Sequence, residues 1–143
     1  MSFQIKSGTI AEAVALSQLL PEFINPRGED EYHKRLTNVR HLILIAYHAD
    51  QPIGFKLGYE KEDYFYSWMG GVLPDFRKSG IAKALADRQE TWAREQGFTK
   101  VIFKTRNSHV GMLIFALKNG FQIISVTQKE QLRDYRILLE KKL

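Results

Sequence analysis

Between residues 42 and 72 three strand-like stretches follow one another with almost no chain to spare between them. That succession constrains the fold more than any other feature. Leu42-Ile43-Leu44-Ile45-Ala46-Tyr47 is a short apolar run that reads as a buried strand. Ala49-Asp50-Gln51-Pro52 is turn chemistry, and residues 53–59 return as the second arm of a hairpin. Lys61-Glu62-Asp63 makes the next polar turn, and residues 64–72 form a third, aromatic-rich strand. Gly70 and Gly71 in that strand mark a bulge or a close backbone approach. Turns this short join only antiparallel neighbours.

Helical signals lie on both sides. A strand over residues 3–6 precedes Thr9-Ile10-Ala11-Glu12, a capping-box spacing. Ala13, Leu16, Leu19 and Leu20 then recur at helical spacing until Pro21. Pro26-Arg27-Gly28 reads as a loop, and residues 29–37 predict a second, mostly polar helix. After Pro74, a loop leads into a helix over residues 81–96, stopped by Gly97. A strand over 100–104, a helix carrying Val110, Leu113, Ile114 and Leu117, and strands over 122–127 and 135–140 complete the chain. The order predicts a single α/β (α+β) domain over residues 1–143, a mixed sheet with helices on its faces.

Composition narrows the chemistry. The 143 residues contain no cysteine, which excludes disulfides, thiolate metal sites and cysteine nucleophiles. His33, His41, His48 and His109 lack metal-ligand spacing, so no metal is expected. The net charge of +5 favours anionic partners. The basic residues are nevertheless spread along the chain without a contiguous basic helix face, so no nucleic-acid partner is expected. The absence of a signal-like N-terminus or a membrane-length apolar run predicts no membrane association and a cytoplasmic location.

The stretch Gly71-Val72-Leu73-Pro74-Asp75-Phe76-Arg77-Lys78-Ser79-Gly80-Ile81-Ala82 carries the most chemistry. It is a strand end, a basic loop and a helix start. First-turn amides without intrahelical partners, the helix dipole, a glycine and two cations suit a bound pyrophosphate. A P-loop and a dinucleotide fingerprint are both missing.

Here the sequence resembles the GCN5-related N-acetyltransferases. Arg77-Lys78-Ser79-Gly80-Ile81-Ala82, after a strand ending Val72-Leu73-Pro74, matches the family's Arg/Gln-x-x-Gly-x-Gly/Ala signature. Asn107, a helix and Lys118-Asn119-Gly120-Phe121 match a second block, and the element order agrees along the whole chain. The resemblance implies a mostly antiparallel sheet of about seven strands with a splayed central parallel pair, residues 64–72 and 100–104. It implies acetyl-CoA as acyl donor, its pyrophosphate held by Arg77, Lys78, Ser79, Gly80, Ile81 and Ala82. The pantetheine arm would lie along Gly71, Val72 and Leu73, with Asn107 helping to position it. A strand N–H near Gly70 or Gly71 would polarise the thioester carbonyl, and a primary amine would attack directly. Dimers are common among such domains, so a homodimer joins the expected partners.

Glu60, at the end of the second hairpin strand beside the expected cleft mouth, and Glu22, after the first helix, are the candidate general bases. Tyr64, Tyr66 and Trp68 alternate on one side of their strand, to line an acceptor pocket or pack against helices. One departure from the family stands out. The tyrosine that often serves as general acid, four residues before the glycine of Gly-Phe, is Ala116 here. That departure keeps open a non-catalytic acyl-CoA sensor or interaction module of the same fold.

Overall fold

The computed structural model describes residues 2–23 and 26–143. Thr9 opens the first helix as expected. Its side chain accepts from the Glu12 N–H at 3.2 Å, and the Glu12 carboxylate accepts from the Thr9 N–H at 2.9 Å. The same carboxylate accepts a very short hydrogen bond from the Tyr47 hydroxyl. That bond holds Glu12 below the usual carboxylate range and pushes Tyr47 up to about 12. Thr9→Ala should therefore cost about 1 kcal/mol in a urea melt at neutral pH. The cost should shrink in acid, because a depressed carboxylate gives up its stabilising contribution as pH falls through its folded-state pKa.

The elements are β1 (Gln4–Ser7), α1 (Ile10–Leu19), α2 (Glu29–Leu36), β2 (His41–His48), β3 (Gln51–Lys61), β4 (Tyr64–Val72), α3 (Ile81–Glu95), β5 (Lys100–Arg106), α4 (Val110–Lys118), β6 (Gln122–Thr127) and β7 (Arg136–Lys142). Single 3-10 turns cover Pro74–Phe76 and Leu132–Asp134. One seven-stranded sheet runs β1-β2-β3-β4-β5-β7-β6. Every pairing is antiparallel except β4 with β5. The element order and the mixed sheet agree with the sequence reading. β1 is shifted one residue along the chain, and β5 and β7 extend beyond their expected ends.

Side-chain alternation assigns the two faces. α1 and α2 cover one face, where Leu16, Tyr32 and Leu36 pack on Phe55, Leu57 and Tyr66. α3 covers the other through Ile81 and Leu85 on Leu44, Ile53 and Phe65. α4 lies on α3's side. Val101 packs under α3 while Phe103, two residues on and so on the same face, belongs to the α4 cluster with Ile137 and Leu139. No helix among the described residues is long and apolar enough to cross a membrane.

The bulge sits elsewhere than Gly70 and Gly71. Leu57 pairs with Met69 and Gly58 with Ser67, which leaves Trp68 as the extra residue of β4. The insertion turns both Trp68 and Met69 to the α1/α2 face. There Trp68 packs on Tyr32 at 4.9 Å and Tyr59 at 6.0 Å, with the Arg35 guanidinium over its ring at 4.5 Å. Tyr64, Tyr66 and Trp68 all join this cluster, so core packing, not pocket lining, accounts for them.

The β4–β5 pair controls the site. Only Phe65 with Val101 and Tyr66 with Ile102 are paired, after which the strands separate. The two halves of the sheet are also joined across α3, where the Lys141 ammonium of β7 meets the buried Glu90 carboxylate at 2.7 Å.

Candidate functional site

Where β4 and β5 part, β4 presents an edge without a strand partner. The phase of its ladder decides which groups face the gap. The Leu73 N–H donates to the Ile53 carbonyl oxygen at 2.8 Å. In an antiparallel pair the bonding direction alternates, so Leu73 and Gly71 exchange bonds with β3 while Val72 and Gly70 turn theirs toward β5. The expected donor near Gly70 or Gly71 is thus narrowed to Gly70, because Gly71 is committed to Phe55. What singles out Gly71 is close approach. A Cβ there would stand 2.5 Å from Leu20 Cδ1 and 3.4 Å from Glu22 Oε1.

Past β4 the chain makes its 3-10 turn and reaches α3 through two residues of positive φ, Lys78 at 63° and Gly80 at 85°. Gly80 is the N-cap of α3 without a side-chain cap, and no acidic residue occupies the helix's first turn. Among the described residues, the N–H groups of Lys78, Ser79, Gly80, Ile81, Ala82 and Lys83 meet no backbone or side-chain acceptor; the first helical bond is from Ala84 to the Gly80 oxygen at 3.0 Å. These amides and the positive end of the α3 dipole are arranged as an anion site requires. The Ser79 hydroxyl donates to the Phe76 carbonyl and braces the loop from inside. Ile81 is buried against the sheet, whereas Lys78, Gly80 and Ala82 are exposed.

Arg77 does not turn toward that loop. Its Nε donates to the Val72 carbonyl oxygen at 2.8 Å, and its Nη2 meets both oxygens of Glu22 at 2.9 and 2.8 Å. In this structure the Arg77 charge is paired with Glu22 and the Val72 carbonyl at the end of β4, rather than turned toward the loop. An exposed pair of this kind adds at most about 1 kcal/mol to stability. Its effect is positional: it holds the Glu22 carboxylate beside Gly71, over the parting strands.

Across the gap, His109 begins α4, and its Nδ1 lies 3.3 Å from the Thr105 hydroxyl. Its pKa is lowered, chiefly by burial and then by the Arg106 charge, with Glu22 acting in the opposite sense and Arg136 in the same sense. The neutral form of the imidazole is thus favoured, and Glu22 is among the groups whose charge reaches it. The clustering of Arg106 and Arg136 here has no local sequence signal, since only the β5–β7 register brings them together.

Two expected site residues stand differently. Glu60 pairs with Phe65, whose β5 partner is Val101, so it lies at the joined end of the strands and not beside the mouth. Its carboxylate takes two bonds from Arg40, at 3.1 and 2.9 Å, which lower its pKa. Asn107 Nδ2 donates to the Leu132 carbonyl oxygen at 3.2 Å and its N–H to the Tyr135 oxygen at 2.9 Å, tying the β5–α4 turn to the β6–β7 loop. Residues 24 and 25, between Glu22 and the loop at Pro26-Arg27-Gly28, lie outside the described residues.

A concavity of about 430 Å3 between α1 and the start of β3 is lined by Ala11, Leu16, Leu19, Pro52 and Leu73. It is nearly all apolar and contains neither Glu22 nor the α3 loop, so it lacks the convergent polar groups of a reaction site. No group of three or more potential metal ligands occurs among the described residues.

The family model described as "Acetyltransferase (GNAT) family" matches residues 13–121. The chain belongs to this acetyltransferase family. Among solved structures, the GNAT chain is similar to the ribosomal-protein-S18-alanine N-acetyltransferase from Escherichia coli, with TM-score 0.85, 16% identity and coverage of 99% of this chain and 94% of that one. It is equally similar to Ard1 from Thermoplasma volcanium, with TM-score 0.85, 15% identity and coverage of 100% and 99%. A GNAT family acetyltransferase from Elizabethkingia anophelis, solved with acetyl-CoA bound, matches with TM-score 0.77, 20% identity and coverage of 99% and 98%. At these identities the likeness is one of fold. No curated protein matches the GNAT chain in sequence.

Proposed function

We propose that this GNAT protein is an acyl-CoA-dependent N-acyltransferase that moves acetyl from acetyl-CoA to a primary amine by direct attack. The observation that carries the reading is the run of N–H groups without protein acceptors from Lys78 to Lys83, placed where β4 parts from β5. That turn fits a diphosphate. The unpartnered edge of β4 fits the amides of a pantetheine arm, with Leu73, Val72 and Gly70 along its path.

The chemistry then follows from position. The Gly70 N–H, directed into the gap, stabilises negative charge developing on the thioester oxygen, as a preorganised donor does in any acyl transfer. Glu22 accepts the proton of the attacking amine, directly or through one water. Asn107 keeps the β5–α4 turn in place. Glu60, bound to Arg40 at the joined end and about 20 Å along the sheet from Gly71, takes no part. Ala116 is buried and supplies no proton, so the thiolate leaves without a tyrosine donor. A thiol of pKa near 8.5 tolerates this at neutral pH.

Thioester cleavage monitored against a panel of amines tests the proposal. Amine-dependent cleavage is expected, and CoA binding without turnover of any amine would favour a sensor. Glu22→Gln should lower kcat about 100-fold, the usual contribution of a positioned base. Its CoA affinity in calorimetry should stay within a factor of about three, because the carboxylate lies outside the phosphate turn.

A further inference from the structure

The β5–β7 ladder places Arg106 directly opposite Arg136. Both lie on the face that Glu22 overlooks. Phe103 and Thr105 point to the α4 side, so Lys104 and Arg106 point the other way. On β7, Ile137 and Leu139 pack under α4, so Arg136 points the other way too. α1 packs chiefly on β2 and β3, and α2 reaches Tyr59 of β3 and Trp68 of β4, so neither helix lies mainly over this face of β5 and β7. Facing pairs of like charge destabilise a sheet. Here none of Lys104, Arg106 and Arg136 forms an ion pair among the described residues. The guanidinium of Arg136 is oriented by a bond from Nη1 to the Asp134 carbonyl oxygen at 2.6 Å, which leaves its charge uncompensated. The site thus has two poles. The Glu22 carboxylate, paired with Arg77, sits over β4, and Lys104, Arg106 and Arg136, without ion-pair partners among the described residues, sit over β5 and β7, with the gap between them.

We infer that the acceptor amine of this enzyme carries an anionic group, a carboxylate or a phosphate, which Arg106 and Arg136 bind while the amine lies toward Glu22. The inference rests on the acyltransferase reading and deepens it. Arginine suits the task because its planar fork meets either oxyanion in bidentate fashion. The amine and the anion must be separated by more than one strand spacing, roughly 5 Å. A chain amine with its anion at the far end meets that requirement. A polyamine does not, because its second ammonium would face the arginines.

The test compares 5-aminopentanoate, 3-aminopropyl phosphate, pentylamine and putrescine, in acetyl transfer and in calorimetry on the CoA-bound protein. The two anionic amines should exceed pentylamine at least tenfold in kcat/KM and in affinity, with putrescine last. Which anion leads identifies the source of the charge. Arg136→Gln and Arg106→Gln should each raise KM for the anionic amines about tenfold, leave kcat and CoA affinity within threefold, and leave pentylamine unchanged. Equal use of charged and neutral amines, or a fall in CoA affinity in these variants, overturns the inference and leaves the acyltransferase intact. If no amine is turned over, calorimetry decides: anion-dependent binding lost in both variants upholds the arginine site, and no anion-dependent binding overturns it. Failure of CoA to bind at all would instead defeat the underlying reading.

Discussion

Gly80→Glu should abolish measurable CoA binding while the protein still folds. Gly80 caps α3 with φ 85° and ψ 2°, a left-handed conformation that costs another residue about 1–2 kcal/mol. A Cβ there meets no atom within 4 Å, so a larger side chain projects outward without disturbing the core. What it disturbs is the ring of amides. A carboxylate held about 4 Å from a phosphate charge is opposed by about 4 kcal/mol at the effective dielectric of a protein surface. That corresponds to about a thousandfold in Kd. Calorimetry with CoA should show no heat at concentrations that saturate the wild type, and circular dichroism should show a native spectrum. Undiminished affinity would mean that the diphosphate sits somewhere other than the α3 turn.

Gly58→Ala should act on the fold itself. An added Cβ would stand 2.6 and 2.8 Å from two ring carbons of the fully buried Phe65, and closer still to the backbone oxygen of Tyr66. The ring is fixed by Trp92 at 5.5 Å and Phe98 at 5.6 Å, so it cannot retreat. Overpacking of this kind costs about 1–3 kcal/mol, and more where backbone must move. The melting temperature should fall by about 3–12 °C for a chain of this size. A melting temperature unchanged within a degree would show that β3 and β4 can separate locally at no cost. Gly58 lies where the register shifts, beside the rungs that join β4 to β5, so the variant should also weaken CoA binding indirectly.

Much of this was legible along the chain because its causes are local. Thr9 and Glu12 are three residues apart and satisfy each other. The turns at Ala49-Asp50 and Glu62-Asp63 were legible from their polar, turn-forming composition, although of their positive-φ residues only Asp50, and not Ala49 or Glu62, is of a type suited to that conformation. The loop from Arg77 to Ala82 reads as a candidate anion turn because its signal lies in local backbone amides and not in distant partners. The features that the sequence alone does not show depend on contacts between distant residues. Arg77 is spent on Glu22, 55 positions away, and no pattern near either residue announces that pair. Glu60 lies at a strand end, but whether that end is open or closed depends on where β5 joins β4. The bulge falls at Trp68 rather than at Gly70 and Gly71 because the core requires both Trp68 and Met69 on one face. Arg106 and Arg136 are 30 positions apart, and only the ladder sets them opposite each other.

The narrow join between β4 and β5 has a mechanical consequence. Only two backbone rungs join β4 to β5; the rest of the coupling between β1–β4 and β5, β7 and β6 runs through side chains, the Glu90–Lys141 contact and the packing of Val101 and Phe98 against Phe65 and α3. A donor molecule lying in the seam would supply the missing cross-strand bonds and act as a temporary eighth strand. Release of the spent carrier would then loosen the hinge between the two lobes, so each turnover would alternately stiffen and relax the body of the protein.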